Sequence, residues 1–161
     1  MDLVELNGRQ DEPSVRRVLE LSHGSKEALE EVCAHYLSGE WTFIGWQEGD
    51  EVLACAGAER LGRGTIGVRS IAVEPARRRR GLGRTLLEAL AHRLEARTLV
   101  AETDDDAVGF YRRCGFSVEH APPKFRRARY WCVREISGFR YDLISSQPLR
   151  TSKRTCCSTF S

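Results

Sequence analysis

The chain has 161 residues, of which 41% are hydrophobic and 30% are charged, and its formal net charge is +2. This length predicts one domain with its own core, and the composition is typical of a soluble globular protein. The near-neutral charge argues against binding to nucleic acid through overall charge, and no apolar stretch reaches the length of a membrane span. The N-terminus is polar and acidic and lacks the pattern of a signal peptide, which predicts a cytoplasmic protein without membrane association.

The six cysteines show neither CxxC spacing nor a Cys/His pattern typical of a metal site. We therefore predict reduced thiols and no bound metal. Four of the six lie in apolar patterns and are predicted to pack as small hydrophobic side chains, namely Cys33, Cys55, Cys114 and Cys132.

The first 73 residues are predicted to form a short strand, two helices and three antiparallel strands, in that order. Pro13 suits the first turn of the first helix, and Ser25 is a good N-cap for the second. The predicted segments are a strand at 3–6, helices from about 13 to 23 and from 26 to 38, and strands at 41–46, 52–58 and 65–73.

The stretch from Ser70 to Leu87 organises the rest of the chain. An apolar strand is ended by Pro75, four consecutive arginines follow at 77–80, and a leucine-rich helix begins near Gly81 and Gly83. Cations are unfavourable at the positive end of a helix unless an anion binds there. The glycines would let a large anion approach the backbone, and Gly83 is expected to leave room for it and to adopt a positive φ. A phosphate or pyrophosphate fits this pattern best, and a solvated basic turn is the alternative.

Two common phosphate-binding motifs do not match this stretch. A P-loop would require Gly-Lys-Ser/Thr, and a dinucleotide-binding fingerprint would require a third glycine after Gly83, where Leu86 follows instead. The segment Arg78-Arg79-Arg80-Gly81-Leu82-Gly83 does resemble the acyl-CoA-binding signature Arg/Gln-x-x-Gly-x-Gly/Ala of the GNAT superfamily of N-acetyltransferases.

The region after the leucine-rich helix is predicted to contain a strand at 98–102, a helix and two final strands. Asp104 is the predicted N-cap of this helix, and Gly115 is its predicted C-terminal stop. The two final strands are predicted at 116–119 and 128–136, and residues 122–127 are predicted to connect them.

This region carries a second resemblance to the same superfamily. The pattern Asp104-x-x-Ala107-x-x-Phe110-Tyr111-x-x-x-Gly115-Phe116 is similar to the family's Asn-x-x-Ala-x-x-Phe-Tyr-x-x-x-Gly-Phe. Asp104 departs from the usual asparagine, so an amide donor that would reach the pantetheine arm of the cofactor is lost.

On these two segments the chain is identified as a GNAT-like protein over residues 1–136. The resemblance implies a mixed α+β fold, with a central, mostly antiparallel twisted sheet of six to seven strands flanked by about four helices. It implies acetyl-CoA as co-substrate, a small-molecule or protein amine as acceptor, and a monomer or homodimer. Residues 137–161 lack periodicity and are predicted to form a poorly ordered tail.

The resemblance also implies the roles of individual residues. Tyr111 would act as the general acid that protonates the departing thiolate, and a backbone N–H at Ile71 or Val73 would stabilise the oxyanion. The residues implied to bind the cofactor are Ile71, Ala72, Val73, Arg78, Arg79, Arg80, Gly81, Leu82, Gly83, Arg84, Thr85, Asp104, Ala107 and Phe110, and no metal ligand is implied.

The sequence does not identify the general base. Family members often carry a glutamate on the strand before the basic loop, but residues 65–70 contain no carboxylate, which leaves Glu59, Glu102 and His120 as candidates. This gap supports a first alternative, a CoA-binding sensor or scaffold without turnover. A second alternative is a nucleic-acid-binding module that uses the arginine clusters at 77–80 and at 126, 127 and 129.

Overall fold

The computed structural model describes residues 1–137, which form one seven-stranded sheet with helices on both faces. The predicted tail lies outside the described residues, except for Ser137, as does the pair Cys156–Cys157. In chain order the elements are β1 (Asp2–Glu5), α1 (Pro13–Glu20), α2 (Lys26–Ser38), β2 (Thr42–Glu48), β3 (Glu51–Gly62), β4 (Thr65–Val73), a 3₁₀ turn (Pro75–Arg77), α3 (Leu82–Arg93), β5 (Thr98–Asp104), α4 (Val108–Arg113), β6 (Ser117–Lys124) and β7 (Arg127–Glu135).

The two N-terminal helices begin where the sequence predicts. Pro13 occupies the first turn of α1, where its missing N–H costs no hydrogen bond. The Ser25 hydroxyl caps α2 by accepting a hydrogen bond from the Ala28 N–H at 3.1 Å. Gly39 ends α2 in the left-handed conformation at φ 76°.

The sheet has the strand order β1-β2-β3-β4-β5-β7-β6, and β4 with β5 is its parallel pair. All the other neighbouring strands are antiparallel. The predicted mixed fold, with a mostly antiparallel sheet of six to seven strands and about four helices, is therefore confirmed.

The parallel pair β4–β5 is joined along only part of its length. Its ladder runs from Thr65 opposite Thr98 to Gly67 opposite Val100 and then stops. Each strand nevertheless continues on its outer side, β4 along β3 as far as Val73 and β5 along β7 as far as Asp104. The two strands therefore diverge beyond Gly67 and leave a wedge-shaped opening in the middle of the sheet.

The hydrophobic core has two parts, one on each face of the sheet. One face packs against α3 and α4, whose buried side chains include Leu86, Leu90 and Tyr111. The other face packs against α1 and α2 and includes Val18 and Tyr36. Alternation along the strands assigns side chains to the two faces, so that Ala72 of β4 belongs to the α1–α2 face while Ile71 and Val73 pack on the α3 face.

Two predicted boundaries are wrong. Asp104 is not the N-cap of α4, because it ends β5 and the helix begins at Val108 with Ala107 as its N-cap. The predicted connection at 122–127 is instead mostly strand, since β6 extends to Lys124 and only two residues form the turn. The adjacent prolines Pro122 and Pro123 are tolerated because β6 is an edge strand and its register with β7 is interrupted there.

The four cysteines predicted to pack as small apolar side chains are confirmed as buried free thiols. Within residues 1–137, no helix combines the length and the apolar composition needed to cross a membrane. The same residues contain no group of three or more His, Cys, Asp or Glu side chains placed to hold a metal ion.

Candidate active site

The basic loop connects the diverging end of β4 to the N-terminus of α3. After the 3₁₀ turn, the backbone is left-handed at Arg79 (φ 64°) and again at Gly81 (φ 77°), which is the N-cap of α3. The Thr85 N–H donates to the Gly81 carbonyl at 3.0 Å and so closes the first turn of the helix. The preceding N–H groups of that turn have no acceptor within the helix, so the end of α3 can donate hydrogen bonds to an anion.

The arginines of the loop differ in what they contact. The Nε of Arg78 donates to the carbonyl of Val73 at 3.0 Å, which folds this side chain back onto the end of β4. Arg79 and Arg80 are exposed.

The two flanking arginines form ion pairs, Arg77 with Glu48 at 3.2 Å and Arg84 with Glu88 at 3.4 Å. Part of the positive charge that a nucleic acid could use is thus already compensated within the chain.

The two glycines of the loop have different structural roles from those expected. Gly83 is buried inside α3, and the prediction that it adopts a positive φ is wrong, because that conformation occurs at Gly81. A Cβ on Gly83 would lie 2.9 Å from Cε2 of Phe110, whereas a Cβ on Gly81 would meet nothing within 4 Å. Gly83 therefore allows α3 to approach α4, and Gly81 provides the sharp turn beside open space.

Two further residues of the loop region hold α3 against the sheet. The Thr85 hydroxyl donates to the Leu82 carbonyl at 2.9 Å and accepts from the indole N–H of Trp46 at 3.0 Å. Leu82 itself is half-buried against the α3-side core. These contacts fix the position of the first helical turn relative to β2.

Tyr111 lies in the core between α4 and the sheet and is 5% exposed. Its ring makes edge-to-face contacts with Phe110 and Phe116, each at a centroid distance of 5.2 Å. Burial raises the pKa of its hydroxyl above the ordinary value of 10, so this group keeps its proton at neutral pH.

Asp104 lies at the end of β5, on the opposite side of the opening from β4. Its Oδ1 accepts hydrogen bonds from the backbone N–H groups of Asp106 (3.1 Å) and Ala107 (3.3 Å). The carboxylate thus orders the turn that leads into α4, which a side chain at this position can do whether it is aspartate or asparagine.

The two glutamates suggested as general base are both in ion pairs. Glu59 pairs with Arg69, which also lies over the ring of Trp41 at 5.0 Å. Glu102, whose side chain is 5% exposed, pairs with Arg129 at 3.0 Å and with Lys124 at 3.4 Å. His120 is exposed on the edge strand β6, where its ring lies 5.0 Å from that of Tyr130.

The structure also brings together three polar side chains that the sequence does not link. The Ser70 hydroxyl of β4 is 2.7 Å from the Tyr36 hydroxyl and 2.9 Å from Nε2 of His23. In the sequence, Ser70 is distinguished only as a polar residue that precedes the apolar end of a strand. Because 34 and 47 residues separate the partners along the chain, no local spacing could have indicated this cluster.

The sequence profile of the Acetyltransferase (GNAT) family matches residues 15–116. A search of curated proteins gives no match.

Many solved structures share this fold. A protein from Desulfovibrio desulfuricans assigned as an acetyltransferase of the GNAT family is 28% identical, with a TM-score of 0.67 over 83% of this chain and 98% of that chain. The ribosomal-protein-S18-alanine N-acetyltransferase from Escherichia coli is 21% identical, with a TM-score of 0.68 over 89% of this chain and 99% of its own. A GNAT family acetyltransferase from Elizabethkingia anophelis, solved with acetyl-CoA bound, is 17% identical, with a TM-score of 0.63 over 84% and 97%.

Proposed function

The chain belongs to the GNAT acetyltransferase family and is an acetyl-CoA-dependent acyltransferase, and from this premise we propose that it acetylates a primary amine. In the proposed reaction the amine nitrogen attacks the thioester carbonyl carbon directly, and the acetyl group passes to the amine without an acyl-enzyme intermediate. The acceptor is a small molecule or a protein amine. The S18-alanine N-acetyltransferase with the same fold supports an amine acceptor.

The observation that carries the proposal is the continuity between the opening in the sheet and the basic loop. The opening begins past Gly67, and β4 leads from there directly into the loop and the N-terminus of α3. One extended ligand with an anionic end could therefore lie along both features, with its phosphates at the helix and its acyl end between the strands.

The phosphate end of acetyl-CoA is assigned to the loop. Backbone N–H groups at Gly81, Leu82 and Gly83 would donate to the pyrophosphate, and the exposed guanidinium groups of Arg79 and Arg80 would add charge. Arg78, Arg84 and Thr85 border the same site.

The pantetheine arm is assigned to the space between the loop and the reacting end. On the other side of the opening, Asp104, Ala107 and Phe110 would line its path.

The reacting end is assigned to the diverging part of β4, around Ala72. A backbone N–H at Ile71 or Val73 would donate to the thioester oxygen as negative charge develops on it. Tyr111 would give its phenolic proton to the departing thiolate of CoA. A tyrosine hydroxyl titrates near pH 10 in its ordinary state and burial raises the pKa of Tyr111 further, so the hydroxyl carries its proton at neutral pH when the carbon–sulfur bond breaks.

The decisive experiment measures acetyl transfer to a panel of amines. Purified protein is incubated with acetyl-CoA and, separately, with a peptide bearing a free N-terminal alanine, lysine, spermidine or an aminoglycoside. Release of free CoA thiol gives the rate, and mass spectrometry of the acceptor identifies the N-acetyl product. We expect at least one amine to raise thiol release well above the rate without acceptor. Binding of acetyl-CoA without acetylation of any amine would favour a CoA-binding sensor, and failure to bind acetyl-CoA would contradict the site assignment.

A further inference from the structure

A hydrogen-bonded chain of three side chains lies on the α1–α2 face of the sheet. Tyr36 of α2 contacts Ser70 of β4, and Ser70 contacts His23, which lies in the connection between α1 and α2. Tyr36 is fully buried and Ser70 is 3% exposed. We refer to these residues as the His23–Ser70–Tyr36 chain.

The packing around Tyr36 holds this chain in place. The Tyr36 ring stacks on Phe43 at a centroid distance of 4.2 Å and meets Trp41 edge-on at 6.0 Å. Gly57 of β3 lies directly opposite Ser70 in the ladder, and a Cβ on Gly57 would collide with the Tyr36 hydroxyl. The absence of a side chain at Gly57 therefore makes the space in which the tyrosine hydroxyl reaches Ser70.

All three polar groups have a hydrogen-bond partner when the bonds are donated in the direction from Tyr36 to His23. The buried Tyr36 hydroxyl donates to Ser70 Oγ, and the Ser70 hydroxyl in turn donates to Nε2 of His23. A ring nitrogen that accepts a hydrogen bond carries no proton, so His23 is neutral with its hydrogen on Nδ1. Burial, which lowers the pKa of His23, acts in the same direction.

The His23–Ser70–Tyr36 chain is located beside the opening in the sheet. Ser70 lies three residues beyond Gly67, where the β4–β5 ladder ends, and it directly precedes Ile71. The basic loop leads into α3, which packs on one face of the sheet, while the His23–Ser70–Tyr36 chain lies on the other face. An acceptor that reaches the thioester from the α1–α2 face would therefore approach the part of β4 that carries Ser70.

We propose that Ser70 and His23 form a proton relay that deprotonates the ammonium group of the acceptor. This inference rests on the proposed function. The ammonium gives one proton to Ser70 Oγ while the Ser70 hydroxyl proton moves to Nε2 of His23. The freed lone pair on nitrogen forms the new bond to the acetyl carbon. Tyr36 keeps its proton throughout and acts as a positioning residue for Ser70.

The remaining proton transfers complete the reaction. When the tetrahedral intermediate collapses, the carbon–sulfur bond breaks, the nitrogen loses its second proton and the thiolate gains one. The His23 imidazolium then releases its extra proton to solvent. One ammonium and one acetyl-CoA thus give one amide, one CoA thiol and one proton.

The charged groups near His23 come from two helices. A shallow surface pocket includes His23 and is also lined by Arg16 and Glu20 of α1 and by Lys26 of α2. Arg16 is already paired with Glu20 (3.4 Å) and with Glu30. From the sheet, β4 presents the Ser70 hydroxyl, and the neighbouring Arg69 pairs with Glu59. The pocket gives the imidazolium a route by which to return its proton to water.

The relay is tested by the pH dependence of kcat/KM for wild type, His23→Gln and Ser70→Ala, with the best amine of the panel. With a working base, kcat/KM for an alkylamine should be flat between the pKa of His23 and that of the amine, near 10.4. Without the base only the neutral amine reacts, so kcat/KM of both variants should rise tenfold per pH unit over that range. At pH 7, three pH units below the point where the profiles meet, we therefore expect a loss of roughly 10³-fold, and near pH 10 we expect the difference to disappear.

Substitutions of two other histidines are compared with His23→Gln. His92→Gln, at an exposed position of α3, is the matched control and should keep the wild-type profile. His120→Gln tests the competing base on β6. A wild-type profile in His23→Gln would overturn the relay, and a changed profile in His120→Gln alone would transfer the role to His120. An unchanged dissociation constant for acetyl-CoA in every variant shows that each one is folded.

A second readout does not depend on turnover. Imidazole ¹⁵N resonances of the full-length protein at pH 7 should show His23 with an unprotonated Nε2, and Tyr36→Phe should shift these resonances. A protonated Nε2 at pH 7 would overturn the relay even if no amine in the panel is acetylated. Failure of the proposed function is distinct, since it appears as absent acetylation in the wild type.

Discussion

At the scale of single residues, Tyr111 is at once part of the core and the proposed acid. Tyr111→Phe keeps the ring contacts with Phe110 and Phe116 and removes only the hydroxyl. We expect kcat to fall by roughly 10²-fold, because general acids contribute at least that much, with little change in acetyl-CoA affinity. Steady-state kinetics and calorimetry measure the two quantities. Tyr130→Phe, which removes the hydroxyl that donates to Asp105, is the matched control and should keep kcat.

An unchanged kcat in Tyr111→Phe would assign this residue to the core alone. In that case the thiolate would be protonated by another group or by water, and the remaining effect would be a stability change of about 0.5–1.5 kcal/mol at most.

Gly81 allows a residue-scale test of the loop that does not disturb the core. Its φ is 77°, and a Cβ there would meet no other atom within 4 Å, so Gly81→Ala introduces backbone strain without a clash. We expect the substitution to cost ~1–2 kcal/mol of unfolding free energy and to weaken CoA binding, because the first amides of α3 would be reoriented. Urea unfolding and calorimetric titration with CoA check both effects.

Asparagine tolerates the left-handed conformation, so Gly81→Asn should recover most of the stability and binding. Equal losses in the alanine and asparagine variants would show that the conformation of this residue is not what matters. Gly83 is unsuitable for the same test, because a side chain there would displace Phe110.

At the scale of elements, the turn of the β6–β7 hairpin has a backbone conformation that does not suit its residues. Its two turn residues, Phe125 (φ 51°) and Arg126 (φ 61°), both have a left-handed backbone conformation. In two-residue hairpin turns these positions are usually occupied by Asn-Gly. Phe125 is also 97% exposed and so contributes little packing. We expect the double variant Phe125→Asn/Arg126→Gly to gain about 1 kcal/mol, which corresponds to roughly 2–4 °C in Tm.

Thermal unfolding of the double variant gives this number directly. Phe125→Ala is the control, because it removes the exposed ring but keeps a residue that is strained at positive φ, and its Tm should stay near that of wild type. A double variant no more stable than Phe125→Ala would mean that the turn stores no recoverable strain.

At the scale of the whole molecule, His23 should couple folding to pH. Its pKa is lowered from 6.5 by burial, so below pH 6.5 the unfolded chain binds a proton that the folded chain does not. The free energy of unfolding should therefore fall as pH decreases from about 7 to 5. Urea unfolding at a series of pH values should show a smaller decrease for His23→Gln, and equal slopes in the two proteins would contradict the buried, neutral histidine.

The fold and the loop follow from local patterns in the sequence. The 3.6-residue period of the leucines in α3, the caps at Pro13 and Ser25, and the order of strands and helices are all properties of neighbouring residues. The basic, glycine-containing turn before α3 belongs to the same class, since a turn and a helix N-terminus are formed within about ten residues. The prediction of the GNAT family rested on such segments, and it is confirmed.

The three-dimensional structure decided what depends on contacts between distant segments. Only the β4–β5 ladder shows where the strands diverge. Only the packing of α4 on α3 shows that Gly83 leaves room for the Phe110 ring. The two glutamates proposed as bases from the sequence form ion pairs with arginines and a lysine that lie on other strands of the sheet. His23, Ser70 and Tyr36 meet across 34 and 47 residues of chain, and a hydrogen bond between side chains so far apart leaves no period or spacing in the sequence.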